Sequence, residues 1–193
     1  MKKNYLLASV ASIALASASA FAVPITGSID MAGGVILNSV SLAAATAATS
    51  FSNVQVENGS TGSYLNVPGG TAVTWSGFSW GSFSPVSPLW TFTYAGRTYS
   101  FSLSSITTDL QTSKFLNLSG AGTLTISGTG PTYDPTFGDW SFTISNSSGG
   151  NHANFQFAFA NSQTAAAVPD GGSLASLMGA ALIGLGLVQR KLK

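Results

Sequence analysis

The stretch WTFTYAGRTYSFSL, residues 90–103, decides the fold class. Trp90, Phe92 and Tyr94 share one parity, and after Ala95-Gly96 so do Tyr99, Phe101 and Leu103, with Ser and Thr filling the alternate positions. Successive side chains of a strand point to opposite faces, so each half reads as a strand with one apolar face, and Ala95-Gly96 reads as the turn of a hairpin. TLTIS (123–127), WSFTI (140–144) and FQFAF (155–159) repeat the alternation. Clusters of Gly, Pro, Asn, Asp and Ser, such as 128–139 and 146–154, separate them as turns.

Weaker strands are expected at Ile25–Met31, Val35–Val40, Phe51–Glu57, Tyr64–Val67 and Ala72–Trp75, for a total of about nine or ten. Strands apolar on one face must bury that face. The expected fold is therefore all-β, an antiparallel two-sheet β-sandwich, of which the jelly roll is a variant with the same period-two signature. Residues 41–50, SLAAATAATS, read as a loop or a short helix.

Only 7% of the 193 residues are charged, against 45% hydrophobic and 11% aromatic, which is the reverse of a disordered chain. Between Val23 and Val168 the basic residues are Arg97 and Lys114 and the acidic ones Asp30, Glu57, Asp109, Asp134 and Asp139, so the body carries about −3. Nucleic acid is excluded as a partner, because phosphate neutralisation needs clustered Lys and Arg. Without cysteine there is no disulfide, thiolate metal site or Cys nucleophile.

The sole histidine, His152, lies in a Gly/Asn/Ser-rich turn, and no G-x-S-x-G elbow accompanies it, so it reads as a solvated loop residue rather than a catalytic base. Asp134 and Asp139 flank PTFG; they could hold Ca²⁺ with backbone carbonyls, but the EF-hand spacing is missing and turn-forming aspartates explain them more simply. No catalytic, cofactor or metal site is therefore expected. The stretch WSGFSWGSFSPVSPLW (75–90) crowds Trp75, Phe78, Trp80, Phe83 and Trp90 among Ser, Gly and Pro. Trp75, Trp80 and Trp90 read first as core and corner residues and second as a platform for stacking sugar rings.

The two ends read as processing segments around a body of roughly 145 residues, enough for one core. Residues 1–22, MKKNYLLASVASIALASASAFA, have two lysines, an apolar stretch and small residues before Val23, the pattern of a signal peptide, with cleavage after Ala20 or Ala22. The body is expected over 23–165 and a C-terminal signal over 166–193. There Val168-Pro169-Asp170-Gly171-Gly172 precedes the fifteen uncharged residues Leu174–Val188, an apolar helix of about 22 Å against a hydrocarbon core of ~30 Å, and then a basic tail, 189–193, with Arg190, Lys191 and Lys193. Snorkelling of those cations extends a marginal anchor and holds the tail in the cytoplasm.

This layout resembles the PEP-CTERM class of bacterial sorting signals, in the variant whose motif reads Val-Pro-Asp-Ser-Gly; Gly171 replaces its Ser, and no Glu follows Pro169. The resemblance implies recognition by an exosortase, a transient stay in the inner membrane, processing near the motif, and delivery to the envelope or exopolysaccharide matrix of a Gram-negative cell. The expected function is a secreted, non-enzymatic structural or adhesive protein. The rivals are a carbohydrate-binding module using the Trp75–Trp90 aromatics and a polysaccharide hydrolase using Asp134, Asp139 or Glu57.

Overall fold

Ala95 and Gly96 both adopt positive φ, 49° and 74°, the paired left-handed geometry of a type I′ turn whose twist matches that of the flanking strands. The hairpin at 90–103 thus forms where the alternation requires it, with Trp90↔Phe101 and Phe92↔Tyr99 in register. The computed structural model describes residues 22–145 and 151–161. Apart from Ala22, the expected signal peptide lies outside these residues, as does the whole sorting signal with its motif, apolar helix and basic tail.

In chain order the strands are β1 (Val23–Pro24), β2 (Gly27–Leu37), β3 (Ala47–Val56), β4 (Thr74–Trp75), β5 (Phe78–Ser79), β6 (Val86–Tyr94), β7 (Arg97–Leu103), β8 (Thr107–Gln111), β9 (Phe115–Gly128), β10 (Tyr133–Asp134), β11 (Thr136–Ser145) and β12 (His152–Asn161). Short 3₁₀ turns occupy Leu42–Ala44 and Gly62–Tyr64. The fold is all-β and antiparallel but for one two-residue clip, β1 beside β10. Strands β4-β6-β7-β9-β11-β12-β2-β3-β5 form one hydrogen-bonded path, with β8 beside the first half of β9, so the strands expected in two sheets share a single ten-stranded sheet.

That sheet curls. Laid flat it would hold β6 and β12 about 19 Å apart. Yet the Trp90 and Phe157 rings, one on each strand, lie 6.2 Å centroid to centroid, and Phe101 of β7 meets Phe159 of β12 at 5.5 Å. Two register shifts along β3, one opposite Gly33 with Asn53 at φ 50° and one beside Thr49, add the extra residues that bend a strand.

The segment 70–79 then bridges the two ends of the path. Gly70 donates its N–H to Val56 O, Val56 donates to Thr71 O and Val73 to Val54 O, tying the segment to β3; Ser76 N–H donates to Leu89 O on β6; Phe78 and Ser79 return to β3. A sheet of about eight walls closes round an interior that side chains just fill. Here aromatic rings fill it: Trp90, Phe101, Phe142, Phe155, Phe157 and Phe159 are all buried. Room for them comes from the cross-strand pair Gly122↔Gly138, where an added Cβ would fall 2.2 Å from the Phe101 ring and 2.3 Å from that of Phe159.

Several expected strands need correction. Ile25–Met31 and Val35–Val40 are largely one strand, β2, running through Ala32-Gly33-Gly34: Gly33 is there because a Cβ would stand 2.9 Å from the Val54 Cα at the bulge, not because the chain turns. Tyr64–Val67 is not a strand; the 3₁₀ turn at Gly62–Tyr64 buries Tyr64 beside Tyr99, and Thr61 and Ser63 pin it by donating to Ser28 O and Thr26 O. Residues 47–50 of the segment read as loop or helix belong to β3.

Candidate functional site

Of the three tryptophans proposed as a sugar platform, Trp75 and Trp90 are cross-strand partners between β4 and β6. Trp90 is fully buried, and Trp75 packs into the core against Phe51, Phe142, Phe155 and Phe157. Trp80, half-buried, lies against Phe78 at 5.9 Å. Trp90 therefore has no exposed face, and Trp75 is packed among core rings.

Asp134 is on β10, beside Pro24, while Asp139 lies on the outer face of β11 between Ala121 and Ala160. Glu57 follows β3 and donates its backbone N–H to Asp30 O. Among the described residues no three His, Asp or Glu side chains gather into a metal-holding group. His152 is the exposed first residue of β12 rather than part of a turn. Arg97 is engaged by neutral oxygens: its Nε donates to Thr129 O at 2.6 Å and its guanidinium lies 5.4 Å over the Tyr133 ring, whose hydroxyl holds the Arg97 pKa above its ordinary value.

The outer face divides into two parts. On β6, β7 and β9 it is a hydroxyl lattice set by register, with rows Thr91–Ser100–Thr125 and Thr93–Thr98–Ser127, and Ser87 and Ser102 beside them. Many of these hydroxyls bond one another: Ser100 to Thr125 at 2.6 Å, Ser87 to Ser102 at 2.7 Å and Thr93 to Thr98 at 3.3 Å.

On β11, β12, β2 and β3 the face is hollowed. One cross-strand row runs Thr143–Gln156–Ala32–Gln55, and Asn154↔Gly34↔Ser52 lies beside it. Small side chains on β2 lower the floor between long amides on the strands to either side. Three adjoining troughs of about 440, 480 and 240 Å³ result, the first two sharing Ala32 and the first and third sharing Asn154. Glu57 and Asn58 line one end and His152 the other.

These groove residues are visible in the sequence only as the polar half of each alternation, Gln156 and Asn154 around FQFAF and Gln55 between Val54 and Val56. Their convergence depends on the order β11-β12-β2-β3, which joins segments over a hundred residues apart and which no local pattern specifies. No family model matches the chain, and neither a curated protein nor a solved structure does.

Proposed function

We propose that the chain is an exported, non-enzymatic protein of the cell envelope or exopolysaccharide matrix, sorted by its C-terminal signal through an exosortase. The observation that carries this reading is the order of features at 168–193: an extended Pro/Gly motif, fifteen uncharged residues too few for a secure anchor, and a cationic tip. The N-terminal pattern at 1–22 supports it. So does the body, a sheet whose outer face offers mostly hydroxyls and amides and few charges, as suits a wet, carbohydrate-rich setting. We read the curled sheet as playing the part of the expected sandwich, its facing walls packing across one aromatic core as two layers would.

The test is expression in an exosortase-bearing Gram-negative host and in its exosortase-null derivative. Intact mass of the surface protein should lack the residues beyond the motif in the first strain and retain them through Lys193 in the second. Equal masses in the two strains overturn the reading.

A further inference from the structure

We propose that the groove across β11, β12, β2 and β3 is a binding site for an uncharged polysaccharide chain. Its chemistry selects by elimination. Nucleic acid needs clustered cations, and among the described residues no Lys or Arg lines the troughs. Glu57 at one end disfavours polyanions. A peptide would use apolar anchor pockets or add a strand at a sheet edge; here the apolar lining residues Phe155, Val56 and Val35 are buried, and β12 and β2 are each paired on both sides. Small-molecule sites are enclosed and largely apolar, whereas this one is open and polar.

What remains is a ligand that both donates and accepts hydrogen bonds along its length. Each amide of Gln55, Gln156 and Asn154 offers an N–H₂ and a carbonyl side by side, as vicinal sugar hydroxyls require, and Ser52 and Thr143 add hydroxyls. Ala32 keeps the floor low enough for a sugar ring to lie flat, and beside it the Ser52 hydroxyl occupies the space over Gly34 and offers a polar contact. An open trough accepts the interior of a chain rather than only its end. That the occupant in the cell is a matrix exopolysaccharide rests on the export reading above; affinity for neutral glycan does not.

The experiment passes the full-length chain, in detergent, over surfaces carrying dextran, a mixed-linkage β-glucan, galactomannan or the polyanion alginate, with variants Ala32→Ile, Gln156→Ala and Trp80→Ala. Ile fills the floor without offering a hydrogen bond, and both groove substitutions lie on the outer face, so thermal unfolding should stay near wild type. Retention is expected on at least one neutral glycan, released by the same glycan in solution, and weakened about fivefold or more by Ala32→Ile and by Gln156→Ala, since one lost hydrogen bond corresponds to roughly that factor. Trp80→Ala should bind as wild type. No retention on any neutral surface, retention on alginate alone, retention indifferent to both groove variants, or loss confined to Trp80→Ala overturns the assignment. Binding is read on purified protein and sorting by mass in cells, so either can fail without the other.

Discussion

Tyr64 is fully buried, its hydroxyl has no hydrogen-bond partner among the described residues, and burial pushes its pKa well above the usual value. A buried orphan hydroxyl costs free energy that the aromatic ring must offset. Tyr64→Phe keeps the ring against Tyr99 and is expected to leave stability at neutral pH unchanged or raise it by about 1 kcal/mol in urea unfolding. The sign of the pH effect follows from linkage. A tyrosine whose folded pKa is raised favours the folded state fully below its unfolded value of about 10, and that stability is lost as pH climbs from there toward the folded pKa. Wild type should therefore weaken above about pH 10 more steeply than Tyr64→Phe; parallel curves would show that burial of this hydroxyl does not govern alkaline unfolding. Ala95 offers a second residue-scale test. It holds φ 49°, a region that a side chain with a Cβ enters at a cost but that Asn tolerates. Ala95→Asn, giving Asn-Gly at a type I′ turn, should stabilise by about 0.5–1 kcal/mol and raise Tm by a few degrees.

At the scale of elements, the hairpin β6–β7 and the strands β11 and β12 were legible because alternation is a local property. In β11 the pattern holds without a break: Thr136, Gly138, Trp140, Phe142 and Ile144 are buried, while Phe137, Asp139, Thr143 and Ser145 are exposed. What was not legible depends on partners. Leu110 and Phe115 point outward in strands too polar or too irregular to announce themselves, so β8 and the first half of β9 went unread. Ala32-Gly33-Gly34 imitates a turn, and only the bulge of β3 across from it explains the small residues. The candidate groove was hidden for the same reason, since its amides come from two strands, β3 and β12, with β2 between them. Packing between elements is tested at the glycine pair beneath Phe101 and Phe159. Gly122→Val or Gly138→Val would drive methyls into those rings and should cost about 3 kcal/mol in denaturant unfolding, whereas Ala121→Val next door, on the outer face, should cost under about 0.5 kcal/mol.

At the scale of the whole molecule, the segment 70–79 joins the two ends of the sheet through few hydrogen bonds. Ser76→Pro removes the donor that reaches Leu89 O and should lower stability by about 3 kcal/mol, with hydrogen exchange quickening at Val73 and along β3 before it does in β11. If β11 loses protection equally, the seam is not a separate unit of opening. Its bonds have a further consequence. A protein with so few charges has little electrostatic repulsion to keep its copies apart at high concentration, and a bare strand flank would template pairing with the next molecule. By laying the segment 70–79 between β3 and β6, this chain covers part of that template. Short, irregular β8, with Asp109 at its centre, is a poor invitation to fibre growth. Protection against edge-to-edge pairing is thus expected to rest on topology more than on charge.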